Sequence, residues 1–100
     1  MAEMTEVHPG VETKVDPLSL IRECIPNRPL VPVVNALVRG MDKHGPWDMT
    51  EEREDYVAHL RNHFEALSSG ECYDKEDGQH HAASIVLRGL QILDLDYSMG

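Results

Sequence analysis

The sequence predicts an all-α chain, a small helical bundle of about four helices completed by homo-oligomerisation, and three observations lead there. Apolar residues recur at helical spacing in stretches bounded by proline and glycine. The 100 residues make one domain at most, and chains of this size bury only about two-thirds of the surface that their unfolded form exposes. With 41% hydrophobic residues, a single Trp and a single Phe, the core is too thin to stand alone, so helices are expected to pair with a second copy.

Residues 1–15 mix Gly, Pro, Glu and Thr without a sustained period, which predicts a flexible tail ahead of a single helical domain over 16–100. Asp16-Pro17 offers an N-cap followed by proline at the first helical position, with Leu18, Ile21 and Ile25 on one side of a short helix that Pro26 and Pro29 end. From Leu30, the spacing of Val33, Val34, Leu37, Val38 and Met41 fits a helix. The valines would also suit a strand, but the length and the polar insertions Asn35, Arg39 and Asp42 favour the helix, which Gly45-Pro46 stops.

Asp48 with Glu51 resembles a capping box, Thr50 being an alternative cap, and opens the clearest helix of the chain. Val57, Leu60, Phe64 and Leu67 form its packing seam, and Ser68-Ser69-Gly70 closes it. A polar loop, ECYDKEDG, follows, and Asp77-Gly78 suggests the start of a last helix. Its apolar face, including Ala82, Ile85, Val86, Leu90 and Leu93, is broad enough to place it at the centre of the bundle.

Eighteen acidic against nine basic residues give a net charge of -9, which argues against nonspecific nucleic-acid binding and against anionic lipid surfaces. Acidity does not exclude nucleotides, because a divalent cation held by carboxylates reverses the local field. No apolar run reaches the roughly 20 residues needed to cross a bilayer. Cys24 and Cys72 lack CxxC spacing, and no basic-then-apolar leader is present. The expectation is reduced thiols and a cytoplasmic protein.

Two antiparallel helices joined by the ECYDKEDG loop would let His63, Glu71, Asp74, His80 and His81 converge. Carboxylate oxygens suit Mg²⁺ or Mn²⁺, and neighbouring imidazoles can add a ligand or orient a water. The plainer reading makes Glu71 and Asp74 solvated loop charges and His80 a surface residue at a helix start.

The stretch KHGPW (Lys43 to Trp47), then Tyr56, His63, Gly70-Glu71, Asp74, Gly78 and His81, resembles the pattern of the phage and bacterial dATP/dGTP diphosphohydrolase N-terminal-domain family. The spacing from His63 to His81 matches without a gap, and the resemblance covers about residues 30–95. Such proteins are similar to the all-α, MazG-like nucleoside triphosphate pyrophosphohydrolases, which cut between the α and β phosphates. The resemblance therefore implies catalytic roles for His63, Glu71, Asp74 and His81, with Glu71 and Asp74 binding Mg²⁺ or Mn²⁺. It sets Lys43 and Trp47 at the edge of the site, where Lys43 would reach a phosphate oxygen and Trp47 would stack on a base. Asn62 stands where the family often has Arg, Ser84 replaces a frequent His, and Arg88 replaces a frequent Asn. Arg88 is thereby a candidate phosphate partner that could replace a metal.

Other clusters carry less. Glu51, Glu52 and Asp55 give an E-E-x-x-D arrangement, but Glu51 lies twelve residues from His63, about 18 Å along a helix, so it reads as a solvated first turn favoured by the helix dipole. His59 and His63 lack a third ligand, which argues against zinc between them. Trp47 could equally seal the bundle, Tyr56 reads as a half-buried packing residue, and Cys72 has no paired base. Arg22, Arg28, Arg39, Arg61 and Arg88 read as surface pairs. Three functions follow: a Mg²⁺-dependent pyrophosphohydrolase acting on a purine (deoxy)nucleotide, a non-catalytic nucleotide-binding or sequestering protein, and a helical interaction module.

Overall fold

The computed structural model of the chain describes residues 16–47 and 49–98. Among them are four α-helices and no strand, only an isolated β-bridge between Tyr73 and His80. The expected tail (1–15) and the expected cap Asp48 lie outside the described residues.

Helix α1 (Pro17–Cys24) starts where the sequence indicates. The Asp16 carboxylate accepts from the Leu18 N–H at 3.3 Å and from the Ser19 hydroxyl at 3.0 Å, and Pro17 sits where an N–H would have no helical acceptor. None of its residues is buried. Helix α2 (Asn27–His44) begins before Leu30, so Pro29 does not separate the two helices. Pro26 is its extended N-cap and Pro29 lies in the first turn, where the missing N–H costs nothing because those donors have no partner within the helix. Pro32 lies deeper in the helix and does forgo a ladder bond. At the far end Gly45, with φ +85°, donates its N–H to the Met41 carbonyl at 2.8 Å.

Helix α3 (Arg53–Ser68) has Glu52 at its N-cap with no side-chain hydrogen bond, so Thr50 does not cap it. Tyr56 supports this end instead, its hydroxyl accepting from the Glu51 N–H at 3.3 Å. Helix α4 (His81–Ser98) starts later than Asp77-Gly78. The intervening carboxylates are used within the loop: Asp74 accepts from the Glu76 N–H at 2.8 Å and Asp77 from the Gln79 N–H at 2.9 Å. Such short polar side chains compete with helix by bonding the backbone two residues on.

Helix α4 packs along α3 and also against α2, which makes it the central helix. Arg53 meets Asp96 near one end of the α3–α4 pair and His63 meets His81 near the other, so the two helices run antiparallel. The buried apolar residues among those described are Tyr56 (1% exposed), Ala83 and Ala36.

The seam of α3 keeps Leu60 and Leu67 as expected but turns Tyr56 and His63 inward beside them, and Phe64 outward. Phe64 is 57% exposed, whereas Tyr56 is buried and His63 is partly buried. The inward positions Tyr56, Leu60, His63 and Leu67 keep heptad spacing, and two of them are polar-tipped residues whose polar atoms find partners inside.

Candidate functional site

The turn after α3 sets the geometry of the site. Gly70, at φ +100°, donates to the Leu67 carbonyl at 3.1 Å, and Glu71 donates to the Ala66 carbonyl at 3.0 Å. This paired capping arrangement needs a left-handed residue, which glycine supplies at no steric cost. It directs the chain so that the Glu71 side chain meets His81.

The loop then closes on itself through the Asp74 N–H to the Gln79 carbonyl and the His81 N–H to the Cys72 carbonyl, both at 2.8 Å. His80 is spent on structure: its Nδ1 accepts from the Ala82 N–H at 3.0 Å, and its ring meets Tyr73 edge-on at 5.0 Å. It therefore does not join the cluster with the other histidines.

His63, Glu71 and His81 form a chain of short contacts. His81, 4% exposed, has Nε2 at 2.7 Å from Glu71 Oε2 and Nδ1 at 2.8 Å from His63 Nδ1. A carboxylate accepts only, so Nε2 of His81 carries a proton. The two facing Nδ1 atoms must then share one proton between them, since two lone pairs at that separation repel. Burial pushes the His63 imidazole below its ordinary pKa; His81 and Arg88 act the same way, while Asp74 and Asp77 oppose them. Neutral His63 is thus the favoured form at pH 7. Ligand-type atoms of His63, Asp74 and His81 all lie within 4.8 Å of one another.

On the other side of His63 opens a cleft of about 180 Å³ between α2 and α4. Lys43, Trp47, Arg88, Asp77, Gln79 and Gln91 are among its lining residues. Two of these are held in place. The Trp47 indole Nε1 donates to Asp94 at 2.9 Å, with Trp47 itself at φ +28°. Arg88 donates to the Gln91 side-chain oxygen at 2.9 Å and lies over the Tyr56 ring, 5.9 Å from its centroid. The expected site residues therefore fall into two groups, Lys43, Trp47 and Arg88 in the cleft and Glu71, Asp74 and His81 in the cluster, with His63 common to both.

His63 pairs with His81, and His59 bonds Glu51 at 3.2 Å. Glu51, Glu52 and Asp55 are all exposed, as a solvated first turn requires. None of Arg22, Arg28, Arg39, Arg61 and Arg88 is in an ion pair among the described residues; the arginine that is paired is Arg53, with Asp96. Cys24 and Cys72 are free and exposed. Among the described residues no helix is long and apolar enough to cross a membrane.

Asp77, Gln79 and Gln91 were missed as cleft residues. For Gln91 a signal existed, because His81, Ser84, Arg88 and Gln91 recur at helical spacing as a polar stripe through an otherwise apolar helix. Asp77 and Gln79 are placed by the loop's own backbone bonds and left no periodic trace.

The fold and site define an all-α domain in which a cationic, tryptophan-flanked cleft abuts a histidine–carboxylate cluster. The chain belongs to the family described as dATP/dGTP diphosphohydrolase, N-terminal, whose model matches residues 10–99. No curated protein and no solved structure matches it.

Proposed function

We propose that this chain binds a purine deoxynucleoside triphosphate in the cleft and hydrolyses it between the α and β phosphates, releasing the monophosphate and pyrophosphate. The observation that carries this reading is the joint at His63, where Lys43, Trp47 and Arg88 on one side meet Asp74, His81 and Glu71 on the other. Arg88 and Lys43 bind phosphate oxygens, Arg88 with the more rigid fork. The Trp47 indole, pinned by Asp94, offers a face to the base. Water attacks the α phosphorus, the bond to the bridging oxygen breaks, and pyrophosphate leaves.

Mg²⁺ or Mn²⁺ carried by the triphosphate would neutralise its charge, which matters in a chain of net charge -9. Glu71 and Asp74 suit such an ion: each keeps one carboxylate oxygen outside the short hydrogen bonds above, and Mg²⁺ bound to phosphates takes one or two carboxylates. Pyrophosphate release and melting temperature measured across a nucleotide panel, with Mg²⁺ or Mn²⁺, test the proposal. Release from dATP or dGTP, abolished by chelator, is the expected result. A melting shift without release would instead support a sequestering protein, which the position of Arg88 in the cleft favours as the second reading. Neither response would leave the helical interaction module.

We also propose that the working form is a homo-oligomer. Val31, Val34, Val38 and Met41 on α2 repeat at heptad spacing and are exposed, as are Val86, Leu90, Leu93 and Tyr97 on α4. The cleft of about 180 Å³ is also smaller than the roughly 300–1,000 Å³ usual for ligand pockets, which fits a site enlarged by a second copy. Light scattering that finds only monomer would remove this part.

A further inference from the structure

We propose that His63, Asp74 and His81 hold a first-row transition-metal dication of the Zn²⁺ or Co²⁺ type, beside the ion that the nucleotide carries and with the Asp74 carboxylate shared between the two. The inference does not depend on the reaction or on nucleotide identity. Four features of the cluster support it.

The donor set is the first. Two imidazole nitrogens and one carboxylate oxygen lie within 4.8 Å of one another, and two imidazoles with one carboxylate suit transition ions, whereas Mg²⁺ demands oxygen. The second is the direction of the nitrogens. Glu71 Oε2 fixes the proton of His81 on Nε2, so the Nδ1 lone pair of His81 is aimed at His63 Nδ1, 2.8 Å away. Two ligand nitrogens on a tetrahedral zinc stand about 3.3 Å apart at usual bond lengths. Opening the pair by about half an ångström through small ring rotations admits the ion in place of the shared proton, which leaves to solvent.

Third, the carboxylate behind His81 reproduces the second layer of known metal sites, in which a ligating histidine donates its other N–H to a carboxylate. Fourth, the outer positions are built. Asp74 is anchored by accepting the Glu76 N–H, and the His81 backbone N–H is tied to the Cys72 carbonyl, so neither ligand must be ordered on binding. His63 also lines the cleft, so the three ligands sit next to the proposed phosphate site.

The test uses the full chain stripped of metal by chelator and titrated with Zn²⁺, Co²⁺ and Mg²⁺ separately. Expected is one tight equivalent of Zn²⁺, visible Co²⁺ ligand-field bands of a mixed nitrogen–oxygen site that Zn²⁺ displaces, and Mg²⁺ binding weaker by at least about a hundredfold. Asp74→Asn retains the turn acceptor and removes the charge, and should abolish the bands or weaken Co²⁺ binding by more than tenfold. Glu71→Gln should keep the bands and weaken binding about 10–100-fold, the usual effect of losing a partner in the outer layer. His59→Gln should change neither. Circular dichroism on each variant separates loss of ligand from loss of fold, and His63→Gln provides a second ligand variant at a partly exposed position. Equal affinities for Mg²⁺ and Zn²⁺, or Co²⁺ bands unchanged in both Asp74→Asn and His63→Gln, would overturn the proposal.

Discussion

The half of the molecule from α3 to α4 and the half formed by α1 and α2 solve the same problem differently. Along α3, the loop and the start of α4, the inward side chains include Tyr56, His63 and His81, and each of their polar atoms named above has a partner. Helix α1 buries nothing and α2 buries only Ala36, while Leu18, Leu20, Val31, Val34 and Val38 stand in solvent. Polar residues inside and apolar residues outside is the reverse of what a monomer needs for stability. The difference teaches that the candidate site region is specified by hydrogen bonds within one chain, whereas α1 and α2 leave much of their apolar surface exposed.

The largest expected effect is at the junction of the two solutions, Tyr56. Tyr56→Ala removes the most buried side chain together with the acceptor for Glu51 and the platform under Arg88. Denaturant unfolding should show a loss of about 3–5 kcal/mol. Tyr56→Phe, which keeps the ring, should lose about 1 kcal/mol. If Tyr56→Phe lost nothing, the hydroxyl's hydrogen bond would not specify the α3–α4 half, and the contrast drawn above would be wrong.

Next in size is the open half. Val34→Glu places a charge in the heptad stripe of α2 and should cost association about 1.5–3 kcal/mol per buried valine, read as a shift to monomer in sedimentation and as a melting temperature that no longer rises with protein concentration. Phe64→Ser is a companion variant: Phe64 is exposed on the other half, and an unchanged sedimentation coefficient would confine the interface to α2 and α4.

A third, smaller effect concerns the cleft. Asp94→Ala leaves the Trp47 indole without its acceptor, at a cost of about 1 kcal/mol in stability at most, because that hydrogen bond is exposed. Nucleotide binding should weaken more than stability does, since the variant frees the ring to leave the cleft wall. Fluorescence of Trp47, the single tryptophan of the chain, reads both.

The helices were legible because proline, glycine and apolar spacing are local signals. Asp16-Pro17 and Gly45 mark their ends as expected. The spacing suggests the candidate site residues as one set and not as two groups, because the split comes from a cleft formed between α2 and α4, a contact no spacing encodes. The inward turn of Tyr56 and His63 on α3 was hidden for a related reason. An apolar criterion selects Val57 and Phe64 over Tyr56 and His63, and only the partners Glu51 and His81, distant in space or outside the helix, make the polar-tipped residues acceptable inside. The role of Glu71 as the group that orients His81 likewise depends on the turn at Gly70, whose exit direction the sequence leaves open.

The smallest effect lies at the far end of the α3–α4 pair, where Arg53 holds Asp96 in two contacts of 2.7 and 3.0 Å. Each residue sits at the unfavourable pole of its own helix, a cation in the first turn of α3 and an anion in the last turn of α4. Arg53 nevertheless holds the Asp96 carboxyl below its usual pKa, chiefly through their hydrogen bonds. A carboxyl whose pKa is lowered by folding stabilises at pH values above its unfolded pKa and loses that contribution as pH falls through the folded one, so the pair should matter at neutral pH and fade in acid. Both partners are exposed, so the expected change is small and screened by salt. Asp96→Asn should lower the melting temperature slightly at pH 7 and low salt, and not at all well below the carboxylate range. Combining it with Arg53→Gln should return the melting temperature to the parent value or above, because both unfavourable dipole interactions disappear together. A double variant worse than the sum of its parts would mean that this end of the pair, like the histidine end, is specified by its polar contacts.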